Sequence, residues 1–448
     1  PEKGWMNDPN GLCEFQGVNH IYFQYTPFLA GWGTKLWGHY TTKDWIHYKE
    51  EEPFLYPDEE WDRDGVYSGS AYTCEDGIHY FYTGNVKLWD KDYDYIMNGR
   101  EQNTIHVFSP DGKNIAYKKL VMTNDDYPVN MSKHVRDPKI YKKDGRYYMI
   151  QGGRDAESYG CALLFCSDDL EHWKWYDTVR TAKPFGYMWE CPDLFEMDGQ
   201  LYIICCPQGV ETQGIDYENV HQVTAMKLDY DFDTDEYEIT DIKLFDRGFD
   251  FYAPQTFEDE SGRRILIGWM GIPDADYTNP TEEAGWQHAL TIPRELSVRD
   301  GKLIQEPIEE LKQLRSEDKA VCTFCYGQTI IMQNAIYEAV VDFKRCREMV
   351  MTLREGITLS YKDNILTLNL GVYGSGRSTR KVRLEKLEHL QIFADTSSLE
   401  IFVNHGEEVF TTRIYNHHGR LLINGECSGI MTVYPLKSFE IEGGRHEE

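Results

Sequence analysis

A chain of 448 residues exceeds what a single hydrophobic core normally organises, so two domains are expected, one of them large. Lys plus Arg number 46 against 75 Asp plus Glu, a formal charge of −29, which argues against nucleic acid and anionic membrane as partners. No run approaches 18 uninterrupted apolar residues, so no membrane span is expected.

Eleven cysteines, an odd count at irregular spacing with Cys205 and Cys206 adjacent, read as reduced thiols and favour the cytoplasm. The start at Pro1 rather than Met leaves room for a removed N-terminal segment, a secretion signal included. The CxxC of Cys322 and Cys325 has no second pair and lies in a strand-like run, so no metal is assigned. Aromatics make up 14%, with 31 Tyr and 11 Trp, which suits β-structure and surfaces that stack on sugar rings.

Along the chain, five turns each precede a short aromatic and β-branched run: GVNHIYFQY at 17–25, EDGIHYFYTG at 75–84, KDGRYYMIQGG at 143–153, MDGQLYIICC at 197–206 and ESGRRILIGW at 260–269. Their Asp-Gly and Ser-Gly pairs supply the positive φ that tight hairpins need. A second turn-and-strand element recurs at 41–50, 108–119 and 166–177. Five repeats of about sixty residues predict a five-bladed β-propeller over 1–305. PIEELKQLRSEDK predicts a linker helix within 306–319. Alternating runs such as GITLSYKDNILTLNLGVY predict an antiparallel β-sandwich over 320–448.

The residues before each hairpin carry the chemistry, because the innermost strand of a blade delivers its first residues to one mouth of the central channel. Aligning Pro9, Pro138 and Pro192 puts Asp8 and Asp137 in register, with Glu190 one residue earlier. Three blades thus aim a carboxylate at one space, although like charges repel and raise at least one pKa. Retaining glycoside hydrolysis needs such a group: one carboxylate attacks the anomeric carbon and a second protonates the leaving oxygen. A third, ionised, holds sugar hydroxyls and favours the oxocarbenium-like transition state. Asp62, Asp155 and Asp193 read as surface or turn acids, and Lys133, His134 and Lys139 as solvated surface groups.

At these residues the chain resembles the β-fructofuranosidases of glycoside hydrolase family 32. GWMNDPNGL at 4–12 is similar to the signature whose Asp is the nucleophile, RDPK at 136–139 to that of the transition-state stabiliser, and ECPDLF at 190–195 to that of the acid/base. The resemblance therefore implies those roles for Asp8, Asp137 and Glu190. It implies sugar-binding roles for Trp5 and Asn7 in the first signature, and for Gln24 and Trp32 in YFQYTPFLAGWGTKLWGH. It extends them to Tyr67 and Ser68 in YSGS, Arg136 and Cys191 beside the acids, and Tyr252 and Trp269 in the later segments. One departure is Leu36, where the family has His before Trp-Gly-His. Trp45, Trp173 and Trp175 read as blade packing.

The fold implied is a propeller followed by a sandwich. The activity implied is release of terminal non-reducing β-D-fructofuranosyl units from sucrose, sucrose 6-phosphate or short fructo-oligosaccharides, with no cofactor. An exo-acting inulinase or levanase, a fructosyltransferase and a non-catalytic sugar-binding propeller are the competing readings. A small carbohydrate is the expected partner, and the sandwich is the expected surface for any self-association.

Overall fold

The computed structural model describes residues 3–327, 335–416 and 418–443. Five antiparallel four-stranded blades follow one another. Blade I holds Gly4–Phe15, Val18–Thr26, Leu36–Thr42 and His47–Leu55, and blade II holds Val66–Cys74, Gly77–Lys87, Arg100–Ser109 and Tyr117–Met122. Blade III holds Met131–Lys143, Arg146–Asp155, Gly160–Ser167 and Lys174–Val179, and blade IV holds Met188–Met197, Gln200–Gln208, Thr224–Tyr230 and Tyr237–Leu244. Blade V, Tyr252–Glu258, Arg264–Trp269, Arg294–Arg299 and Lys302–Pro307, lies against blade I and completes the ring.

Period-two alternation explains why the blades pack on both faces. In the second strand of blade II, Ile78, Tyr80 and Tyr82 join the apolar layer shared with blade I, while Phe81 joins that shared with blade III. In the second strand of blade IV, Leu201, Ile203 and Cys205 face blade III, whereas Tyr202, Ile204 and Cys206 face blade V. The predicted hairpin turns form, with Asp144-Gly145 and Asp198-Gly199 both at positive φ. The second recurring element is one repeated turn: Asp44, Asp111 and Asp169 each accept from the backbone N–H groups two and three residues on. Trp45 is buried in that turn and Trp173 partly so, but Trp175 is exposed and donates to the Asp177 carbonyl instead of packing the blade.

Three expectations need correction. The linker is a single 3-10 helix, Glu309–Leu314, and residues 306–307 belong to blade V. Ile308, Leu311 and Leu314 are buried at a spacing of three, which lines one face of a helix with three residues per turn and would spiral off an α-helix. Beyond it, a six-stranded and a five-stranded sheet enclose one apolar core, but the strand Glu440–Glu442 leaves this sandwich and pairs in parallel with blade I's outer strand. The last five residues of the expected sandwich, 444–448, lie outside the described residues. Lys139 is not a surface group: it is buried in the channel against Asp193, its Nζ 3.5 Å from Oδ2 and donating to the Thr256 carbonyl. Of the acids read as surface or turn residues, Asp155 does close a turn, on the N–H groups of Glu157 and Tyr159, but Asp193 is buried with Lys139, and Asp62 is buried and pairs with Lys118 at 2.6 Å. Among the described residues no helix is long and apolar enough to cross a membrane, and all eleven cysteines are free thiols.

Candidate active site

Every innermost strand carries a β-bulge at the same height. Pairing with the second strand skips between Met6 and Pro9, Val66 and Gly69, Arg136 and Lys139, Glu190 and Asp193, and Tyr252 and Gln255. A bulge sets two residues against one and re-aims their side chains. At three of them the residue before proline is left-handed: Asp137 at φ 65°, Cys191 at 47° and Ala253 at 45°. That conformation costs about 1–2 kcal/mol for a residue with a Cβ, and two of the three sites are at an acid or next to one, Asp137 itself and Cys191 beside Glu190.

The first strand is seated by a glycine. Gly4, at φ 85°, donates its N–H to the Gly285 carbonyl at 2.8 Å, and a Cβ there would collide with the Thr26 carbonyl. This closure carries Trp5 and Asn7 to the mouth. Asp8 Oδ2 accepts from Ser68 Oγ at 2.5 Å and Oδ1 from Asn7 Nδ2 at 3.1 Å, while Asn7 Oδ1 accepts from Trp5 Nε1 at 3.0 Å. Burial pushes the Asp8 carboxyl above the ordinary range, the Ser68 and Asn7 hydrogen bonds pull it back, the Glu190 charge raises it and Lys35 lowers it.

Asp137 is buried, its backbone N–H donates to Thr83 Oγ1 at 2.9 Å, and its Oδ2 accepts from the Cys191 N–H at 2.9 Å. Burial drives its carboxyl up to about 7, although Arg136 opposes this. The Cys191 sulfur lies 3.7 Å from Asp8 Oδ2 and 3.6 Å from Asp137 Oδ2, so one side chain touches both acids. Burial raises that thiol well above its ordinary range, which leaves it an uncharged spacer and not a second nucleophile.

Glu190 accepts four hydrogen bonds. Arg136 gives two to Oε1, from Nη2 at 2.5 Å and Nε at 3.1 Å, and Oε2 takes one from Gln208 Nε2 at 2.8 Å and one from the Tyr252 hydroxyl at 2.7 Å. Arg136 therefore bonds Glu190 and not its neighbour Asp137, because the bulge turns adjacent side chains apart.

The remaining predicted residues divide between rim and support. Trp32 is 60% exposed on the rim, edge-on to Trp5 with centroids 6.1 Å apart, and Tyr67 is half-buried with the Arg100, Arg136 and Glu190 charges acting on its hydroxyl. Gln24 is buried and donates to the Val66 carbonyl at 2.8 Å, tying blade I to blade II instead of facing the opening. Trp269 is 1% exposed and packs behind Trp5, 6.3 Å away, so it backs the wall and does not line it. Leu36 joins the apolar cluster of Met6, Phe23 and Tyr25.

Sequence reasoning missed Thr83, Gln102, Gln208 and Lys35, which reach the site from second and third strands and a connecting loop. Lys35 is fully buried, its Nζ 4.6 Å from the Trp32 ring centre and 5.1 Å from that of Trp5, and burial lowers its ammonium to about 7. Only its interruption of an aromatic-rich run could have signalled it. His134, expected at the surface, is half-buried with Nδ1 at 2.8 Å from Arg136 Nη1. Among the described residues the three-donor group Cys74, Asp76 and His79 has its ligand atoms within 4.8 Å of one another, but it lies at the far end of its strand from Ser68.

Comparison with known proteins matches the arrangement. The glycosyl hydrolases family 32 N-terminal domain covers residues 1–307 and the family 32 C-terminal domain 327–433. The chain is 37% identical over 442 residues to the sucrose-6-phosphate hydrolase of Bacillus subtilis (strain 168), covering 96% of this chain and 90% of that protein. It is 35% identical to that of Staphylococcus xylosus, covering 99% and 91%. Among solved structures, the sucrose-6-phosphate hydrolase of Lactobacillus gasseri superposes with a TM-score of 0.87 at 27% identity, over 97% of this chain and 91% of that one. A mutant Bombyx mori β-fructofuranosidase in complex with sucrose gives 0.84 at 28%, over 99% and 93%. Propeller, sandwich and acid signatures thus agree with these matches, and the chain belongs to glycosyl hydrolase family 32.

Proposed function

We propose that the protein is a retaining β-fructofuranosidase that hydrolyses sucrose and sucrose 6-phosphate. The observation that carries this reading is the Cys191 sulfur in contact with both Asp8 and Asp137, with Glu190 on the adjoining residue. Nucleophile, stabiliser and proton donor thus meet at one opening. Asp8 attacks the fructosyl anomeric carbon while Glu190 gives a proton to the departing glycosidic oxygen, leaving a fructosyl ester on Asp8. Water then attacks that carbon, Glu190 takes its proton, and the Asp8 carboxylate is released. Ser68 and Asn7 fix Asp8 for this attack, and Gln208, Tyr252 and Arg136 fix Glu190. Asp137 binds sugar hydroxyls and stabilises the positive charge that develops at the ring. Trp5 and Trp32 offer the fructosyl ring an aromatic wall.

The test is to react the Glu190→Gln variant with fructosyl fluoride, whose leaving group needs no acid. After a quench at low pH, mass spectrometry of peptic peptides should find one fructosyl unit on the fragment bearing Asp8. A label on another carboxylate, or fructose released with inversion, would overturn the reading.

A further inference from the structure

A second cluster stands beside Glu190, on the rim that blades II and III share. Arg100 opens the third strand of blade II, and Arg154 lies near the end of the second strand of blade III, across the ladder from 132–134. Half-buried His134 lies in the same region, its Nε2 at 3.3 Å from the Tyr95 carbonyl and its Nδ1 on Arg136. Burial, then the Arg136, Arg100 and Arg154 charges, push the His134 imidazole down to about 2, so it stays neutral among three guanidinium groups.

Of the three, only Arg136 has an acid partner among the described residues. Arg154 donates to Ser158 Oγ at 2.8 Å and stacks 4.8 Å from the centre of the Tyr187 ring, both neutral. Arg100 Nε is buried without a hydrogen-bond partner, and no carboxylate pairs with that guanidinium among the described residues. The nearby acids face their own turns: Asp94 Oδ1 accepts from Ile96 N–H at 2.8 Å, and Asp155 Oδ1 from Tyr159 N–H at 2.8 Å. Two guanidinium groups without acid partners, both near enough to His134 for their charges to reach it, are out of place in a chain with 29 excess negative charges. An anion between them would satisfy both, and a phosphate monoester offers the oxygens that guanidinium forks match.

The position says which anion. Glu190 protonates the glycosidic oxygen, so the leaving sugar extends from the Glu190 side of the mouth, away from Asp8. Arg100 lies within electrostatic range of Arg136, Tyr67 and Glu190 on that side. We propose that Arg100 and Arg154 form an anion subsite that binds the phosphate of a phosphorylated leaving sugar. This rests on the fructosidase reading and adds to it the groups that select the phosphorylated substrate.

The experiment pairs kinetics with binding. For Arg100→Met and Arg154→Met, kcat/KM ratios for sucrose 6-phosphate over sucrose should fall about 10- to 100-fold below wild type, and Arg100→Lys should lose less. Calorimetry should show glucose 6-phosphate binding the Asp8→Asn protein more tightly than glucose does, with the preference lost on adding Arg100→Met. Unchanged ratios, or equal binding of both sugars, would overturn the subsite. Because calorimetry needs no turnover, preferential binding by a protein that releases no fructose would support the subsite while the fructosidase reading failed.

Discussion

The seam between propeller and sandwich buries acids as deeply as the mouth does, and it treats them differently. At the seam, Asp250 is ringed by Arg377 Nη1 at 2.8 Å, the Arg413 N–H at 2.8 Å, Thr412 Oγ1 at 3.1 Å and the Tyr277 hydroxyl. Burial would raise its carboxyl, but Arg377, Tyr277 and the Arg413 N–H together hold it below the ordinary range. Asp246 and Glu400 share Arg294, at 3.3 and 2.6 Å. At the mouth, equally buried Asp137 takes one backbone N–H and a thiol, and the nearest guanidinium bonds Glu190. Acids that hold two domains together are bonded to cations. At the mouth only Glu190 is bonded to a cation, Arg136, whereas Asp137 is left short of donors, which costs stability and keeps its acceptors free for hydroxyls.

Four changes sharpen or break this contrast. The largest expected effect is at the mouth: Asp8→Asn should lower kcat by about 10⁴-fold or more while leaving the thermal midpoint equal or higher. A loss of activity matched by unfolding would erase the distinction. At the seam, Arg377→Met should strand Asp250 and lower unfolding free energy by about 3–5 kcal/mol in denaturant titration, with kcat per folded molecule kept.

The third change concerns pH. Burial pushes the Asp137 carboxyl from its ordinary 3.8 up to about 7, so between these values the folded protein holds a proton the unfolded chain has released. Its contribution to stability is present below pH 4 and lost as pH climbs through 7. Asp137→Asn removes that loss, so above pH 7 the variant should melt about 2–4 °C higher than wild type, and below pH 4 the gap should close. A variant less stable than wild type at pH 8 would contradict the placement of Asp137. The smallest effect is at Tyr252→Phe, which removes one of four hydrogen bonds to Glu190 and should cost about tenfold in kcat.

Much of this was legible in the sequence, for physical reasons. Turn chemistry at Asp144-Gly145 and Asp198-Gly199 marks hairpins locally, and a repeat of such marks counts blades. The acids before Pro9, Pro138 and Pro192 could be aligned because the bulge recurs with the strand. What stayed hidden depends on how strands meet. Nothing local says that Arg136 turns to Glu190 and away from Asp137, since a bulge decides which of two adjacent side chains points where. Gln208 and Lys139 lie in ordinary strand runs; the blade IV hairpin brings one to Glu190, and the packing of blade III on blade IV brings the other to Asp193. The 308–314 segment misled because a spacing of three fits both helix types over one turn.

The measurement that bears most directly on the central claim is the initial rate of fructose release from sucrose, sucrose 6-phosphate and inulin, run in parallel on the wild type and Asp8→Asn. The account predicts release from both sucrose substrates, with one glucose or glucose 6-phosphate per fructose, and its disappearance in the variant. Absence of fructose from all three, or equal rates in the variant, would contradict the assignment of Asp8 and the fructosidase reading with it.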